Sequence, residues 1–477
     1  MGDEISVSRF TKKDYDRFHR ALSQETELLL KWIEKGSLSE IRAVGGFEQE
    51  IWLTQKNFLP APENEALLNR LNDPYVTPEL AKFNIELNVD PEPLQGNSLS
   101  VLHSRLQENW ERTQKAAQAM DLNLMITGIL PTLRDEDITI QNMSSMNRYH
   151  ALNEQVMHAR KGKPLVLDIV GQAHLKSEHS DVMLESAATS FQVHRQIDQH
   201  RAAAYYNAAI ICSAPSVAVA ANSPYFFGVD LWEETRIPLF EQAVEVGGYG
   251  SASQGPVRRV SFGTGYVKHH LGECFKENLE HFPVLLPVTF DTPQDELRYL
   301  RLHNGTIWRW NRPLLGFDED GTPHFRIEHR VIAAGPSLID ELANAAFFLG
   351  LQEALATQEK PPEKMLDFSD AKSNFYSAAR KGIHASVVDF DGKRVSLKQW
   401  LLTQLIPFAI RGLESLKIDR DEIEHYMEII KARVSTERTG AHWQRQFVKS
   451  NGPDMHALAE RYYQNQCAGK PVHEWER

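Results

Sequence analysis

The chain has 477 residues, 42% of them hydrophobic, and a formal charge of -12 at pH 7. This is ordinary globular composition, and the acidic balance argues against a general nucleic-acid binder, which would carry a basic face. Cys212, Cys274 and Cys467 are far apart and form no CxxC, which argues against a disulfide framework and for a reducing, cytoplasmic setting.

In chain order, the N-terminus is charged from the start and has no apolar run of signal-peptide type; MGDEIS matches a myristoylation pattern only by form, with no polybasic run beside it. Helical spacing of Phe10, Tyr15, Phe18, Leu22, Leu29 and Trp32 predicts a helix over 8–36, stopped by Gly36. A strand over 43–54 follows. Residues 55–80 read as loop and short helix, punctuated by Pro60, Pro62, Pro74 and Pro78. KFNIELNV, 82–89, alternates: Phe83, Ile85, Leu87 and Val89 face one way, Asn84, Glu86 and Asn88 the other. A long helix over 97–120 leads to the strand and turn of DLNLMITGILPT. Residues 163–171 read as a strand, 176–186 as helical, TSFQVHRQID as a strand, and 196–221 as a long, alanine-rich, buried helix rather than a membrane span. HNGTIWRWNRPLLGF and TPHFRIEHRVI read as a hairpin. From Ser337 to about 465 the chain is mainly helical. The mix predicts an α+β fold, one mainly antiparallel sheet wrapped by helices. No boundary is sharp enough to split the chain: 1–40 is an N-terminal helix, 41–350 a sheet with helices, and 351–477 a mainly helical part of one domain over 1–477.

Glu48 and Glu50, Glu86 and Asn88, Gln192 and His194, and Glu328 and Arg330 are all i, i+2 pairs on predicted strands, so partners share a face. Singly, each pair is explained by a solvated strand face. In one sheet, they collect four glutamates, a glutamine, a histidine and an arginine. Such a face needs cations if buried, and its oxygen-rich donors favour Mg²⁺ or Mn²⁺ over zinc. No Walker A or glycine-rich phosphate fingerprint is present, so a nucleotide would be held mainly through metal. Arg236, Arg309 and Arg312 add candidate carboxylate and phosphate contacts.

These residues resemble the glutamate–cysteine ligase type 2 family of carboxylate–amine ligases. GGFEQEIWL is similar to its opening G-x-E-x-E strand, FNIELNVDP to its E-L-x-T-x-P segment, and ITGILPT to its G-T-x-P turn. SAATSFQVHRQID, AVAANSPYFFG with the following ETR, WNRP and FRIEHRV match further segments in family order, from about 44 to 350. The resemblance implies a glutamine-synthetase-like funnel in which ATP phosphorylates a carboxylate, the γ-carboxylate of glutamate, and an amine displaces the phosphate. It implies metal ligation by Glu48, Glu50, Glu86, Gln192 and Glu328, with Arg236 and Arg330 as catalytic contacts to the reacting carboxylate and phosphate. Asn88, His194 and Arg312 are expected to bind substrate. Amino acids and ATP are the expected partners, with neither nucleic acid nor membrane. GILPT replaces a turn that often carries histidine, and His194 stands where plant-like members have asparagine, so the amine stays open. The competing readings are a small-molecule kinase of the same fold and a catalytically silent nucleotide-binding protein.

Overall fold

The computed structural model describes residue 5 and residues 10–41, 43–246 and 258–476. MGDEIS, apart from Ile5, and the first two residues of the helix predicted over 8–36 lie outside them.

The sequence VGGFEQEIWLT forms a central strand, β1 (Val44–Thr54), after a first helix, α1 (Lys12–Glu34). Next come α2 (Asn64–Leu71), β2 (Val76–Pro78), β3 (Asn84–Pro93), α3 (Ser98–Gln118) and β4 (Asn123–Met125). They are followed by α4 (Asn147–Ala159), β5 (Leu165–Val170), β6 (His174–His179), β7 (Phe191–Ile197) and α5 (Ala202–Ala220). Further on lie α6 (Arg236–Ala243), α7 (Gly272–His281), α8 (Arg298–Gly305), β8 (Asn311–Phe317), β9 (Pro323–His329), α9 (Leu338–Ala356) and α10 (Ile406–Ser415). The C-terminal end carries α11 (Arg420–Thr436), α12 (Gly440–Asn451) and α13 (Met455–Cys467).

Seven strands make one sheet in the order β8-β9-β7-β1-β3-β2, with β4 taking over beside the end of β1. Every pairing in it is antiparallel. The ladder stacks the predicted pairs across neighbouring strands. Glu48 lies opposite Asn88 and Gln192, Glu50 opposite Glu86, and His194 opposite Glu328, which in turn faces Arg312. A register shift between Gly45 and Phe47 bends β1 at its entry.

Alternate residues on the other face meet α9. Gln49 donates to Glu341 (2.7 Å), Arg195 pairs with Glu353, and His329 stacks on Phe348 at 3.8 Å. Helix α9 and the alanine-rich α5 are buried almost all round, as hydrophobic-all-round helices must be. By length and hydropathy α5 could cross a membrane, yet 89% of that window is buried in the protein. Behind α9, Gly350 and Gly412 let α10 approach so closely that a Cβ on Gly412 would strike the Gly350 carbonyl.

Two predicted elements change. Residues 174–179 are a strand paired with β5, leaving only a single 3₁₀ turn, Met183–Ala187, of the helix predicted over 176–186. The apolar run there is one turn long, and the ladder with β5 captures the residues before it. The helix predicted from 196 starts at Ala202, because Gln196 and Ile197 still pair with β1 and β9.

Candidate active site

The polar face of the sheet lines two adjoining cavities. The larger, about 280 Å³, is walled by Glu48, Glu50, Glu86, Gln192, Glu328, Arg330 and Arg312 from the strands. The smaller, about 160 Å³, takes in Asn88 and His194. Glu48 and Arg326 line both. The two-residue repeat of a strand is what brings these side chains to one surface.

A hydrogen-bonded chain crosses the sheet. Glu50 accepts from the Ser190 amide (2.6 Å) and from the Gln192 side chain (2.8 Å), and Gln192 accepts from Arg330 Nη1 (2.5 Å). Arg330 also lies 3.2 Å from Glu328, which Arg312 grips with both ends of its fork (2.7 and 2.8 Å). On the far side, Glu86 accepts from Asn88 (3.1 Å). Glu48 lies 3.3 Å from His194, and Glu48, His194 and Glu328 each place a donor atom within 4.8 Å of the others, close enough to share a cation.

The electrostatics divide this face. Burial raises Glu328, but Arg312 and Arg330 more than offset it and hold its carboxyl at about 2. Burial likewise works against ionisation of Glu48, and attraction to His194 overcomes it, leaving Glu48 well below the usual range. Elsewhere the negative charge is not compensated. Burial, then repulsion from Glu79, pushes Glu50 up to about 7. Burial and Glu48 drive Glu86 well upward, and burial followed by Glu79 takes Glu185 to about 8. Glu79 is raised by burial too. Crowded carboxylates that resist ionising together, with one imidazole and no thiolate among them, are the donor set of a hard divalent cation, so the residues fit Mg²⁺ or Mn²⁺.

Arg236 does not line either cavity. It is buried, donating to the carbonyls of Arg330 (3.1 Å) and Val331 (2.5 Å), beside Glu234 and 5.4 Å from the Trp310 ring, and its charge reaches Glu50. At the start of α6 it props the residues leaving β9. Arg309 is also turned away, toward Asn278 and Glu277. The C-terminal residues Arg438, Trp443, Gln444 and Arg445 pack: Trp443 against Tyr462 and Trp475, Gln444 on Asn222, Arg445 on Asp230 and Glu233, Arg438 on the His473 carbonyl.

Sequence reasoning missed Glu79, Glu185, Arg148 and Tyr149 in the larger cavity. Glu79 follows a three-residue strand, Glu185 sits in a 3₁₀ turn, and Arg148 and Tyr149 open α4, so none belongs to an alternating pattern. Arg326 was within reach, since FRIEHR places it two residues before Glu328 on the same face. Phe275, Leu286, Leu302 and Trp308 give the larger cavity an apolar lining as well.

The sequence profile of glutamate-cysteine ligase family 2 matches residues 44–465. Among solved structures, the fold is similar to a glutamate–cysteine ligase from Francisella tularensis in complex with AMP, at 14% identity and a TM-score of 0.59, covering 90% of this chain and 89% of that one. A bifunctional glutathione synthetase from Pasteurella multocida is similar at 12% identity and a TM-score of 0.49, covering 94% of this chain and 54% of that one. Comparison with curated protein sequences finds no match. The curled antiparallel sheet is thus of the glutamine-synthetase-like kind, and the chain belongs to glutamate–cysteine ligase family 2, a group of carboxylate–amine ligases.

Proposed function

We propose that the protein joins the γ-carboxylate of glutamate to an amine, at the expense of ATP and with Mg²⁺ or Mn²⁺. The observation that carries this reading is the meeting of Glu48, Glu50, Glu86 and Glu328 with Arg312 and Arg330 in one cavity of the sheet. Glu48, His194 and Glu328 on one side, and Glu50 and Glu86 on the other, would hold the metal. When bound, a divalent cation grips nucleotide phosphates and neutralises the charge that develops on them.

The chain's own side chains do the rest by position. The apolar wall of Phe275, Leu286, Leu302 and Trp308 suits a purine ring, with the triphosphate directed toward the carboxylates. Arg330, fixed by Gln192 and Glu328 and with its carbonyl held by Arg236, points a planar fork at the reacting group. A substrate carboxylate oxygen attacks the terminal phosphorus of ATP and ADP leaves. The amine nitrogen then attacks the acyl carbon, loses a proton, and expels phosphate. Preorganised positive charge stabilises both steps. Free Cys212 and Cys274, both buried, are in keeping with work in the cytoplasm.

The test is to incubate the full chain with ATP, MgCl₂, L-glutamate and a panel of amino acids and simple amines, following phosphate release and product mass. Amine-dependent phosphate release with an amide of the condensed mass is the expected result. No carboxylate- or amine-dependent ADP across the panel overturns the reading, and a stable phosphorylated acceptor without condensation replaces it with a kinase.

A further inference from the structure

We propose that Arg326 receives the α-carboxylate of an amino-acid substrate, making the smaller cavity an amino-acid chamber rather than part of the nucleotide site. The substrate class rests on the ligase reading; the carboxylate site rests on the geometry of Arg326 itself.

Arg326 lines both cavities. Its Nε is buried without a hydrogen bond, and among the described residues its side chain has no hydrogen-bond or ion-pair partner. The arginines beside it differ. Arg312 and Arg330 are both committed to Glu328. The carboxylates nearest to Arg326 in charge, Glu48 and Glu328, are already engaged by His194 and by those two arginines. Arg326 is half-buried with its Nε sealed from water and unpaired, so its guanidinium is open to a ligand, and a planar fork matches a carboxylate bidentately.

Size and position select the ligand. At about 160 Å³, against about 280 Å³ for its neighbour, the chamber suits a small molecule, and the apolar wall fit for a purine lies in the neighbour. His194, His324, Asn88 and Gln196 offer polar partners around Arg326, and Phe47 and Val89 offer an apolar surface. Arg326 stands one same-face step, about 6.8 Å, from Glu328 on β9. A carboxylate held on Arg326 therefore leaves the remainder of a short amino acid beside Glu48 and Glu328, where the chemistry is placed. Either substrate, the acid or the amine, can supply that carboxylate.

Calorimetry on the full chain with MgCl₂ and a non-hydrolysable ATP analogue separates the sources, using three pairs that differ by one carboxylate: L-glutamate and 4-aminobutyrate, L-cysteine and cysteamine, L-alanine and ethylamine. The wild type is expected to bind at least one amino acid about tenfold more tightly than its decarboxylated partner, and the pair concerned identifies the substrate. Arg326→Gln is expected to erase that preference and leave the ATP analogue within about twofold, with Arg326→Lys retaining part of it because the charge remains. The proposal is overturned if no pair is discriminated by the wild type, if discrimination survives in Arg326→Gln, or if that variant loses the ATP analogue instead, which would make Arg326 a phosphate contact. Discrimination in a protein that forms no amide sinks the ligase reading and leaves Arg326 in place. Amide formation with discrimination intact in Arg326→Gln does the reverse.

Discussion

Replacing Glu50 by glutamine in the metal-free protein should change the sign of its effect with pH. Burial and Glu79 push the Glu50 carboxyl up to about 7 from an ordinary 4.5. The folded state therefore favours the protonated form. Its contribution to stability is fully present below about pH 4.5 and is lost as pH rises through about 7. The two values differ by about 2.5, which at about 1.4 kcal/mol per pKa unit is a loss of about 3 kcal/mol by pH 8. Glutamine cannot ionise. It keeps an acceptor for the Ser190 amide but sets its own NH₂ against that of Gln192, forfeiting one hydrogen bond at a cost of about 1 kcal/mol. Glu50→Gln should thus be about 1 kcal/mol less stable than wild type near pH 4 and about 2 kcal/mol more stable near pH 8. Urea unfolding followed by tryptophan fluorescence in the presence of a chelator measures both differences. Curves for the two proteins that run parallel across this range would refute the reasoning, because they would mean that Glu50 is ionised in the folded protein without penalty.

Arg330→Lys keeps the charge but loses the planar fork shared between Gln192 and Glu328, and kcat/KM for ADP formation should drop about 10²-fold; kinetics comparable to wild type would remove Arg330 from the reaction. Glu328→Gln strips the counter-charge from Arg312 and Arg330 at once, and should destabilise the protein by about 3–5 kcal/mol at neutral pH in chemical unfolding. Gly412→Ala drives a methyl group into the Gly350 carbonyl between α9 and α10, and calorimetric melting should show a loss of about 1–3 kcal/mol or more, with activity per folded molecule unchanged.

The acidic face was legible because strands write their faces into the sequence with a period of two. Glu48 and Glu50, Glu86 and Asn88, Gln192 and His194, and Glu328 and Arg330 all pointed the same way once the strands joined one sheet. The same rule put Gln49, Arg195 and His329 on the opposite face, where α9 covers them. Irregular segments carry no such period. Glu79, Glu185 and the Arg148–Tyr149 pair reach the cavity from a strand end, a 3₁₀ turn and the first turn of a helix, and their chain positions say nothing of their common destination. Arg236, singled out by residue type, sits at the start of α6 and donates to two backbone carbonyls, contacts that strand alternation does not announce.

By itself, the sequence determined which residues share a face, that the shared face is acidic, and that a hard cation suits it, because alternation and ligand chemistry are local properties. Only the tertiary structure decided which arginines are spent on glutamates and which is left over. That depends on strand order and register: placing β8 beside β9 commits Arg312 to Glu328, placing β7 on the other side commits Arg330 to Gln192, and Arg326, two residues before Glu328 on β9, faces two cavities with no hydrogen-bond or ion-pair partner among the described residues.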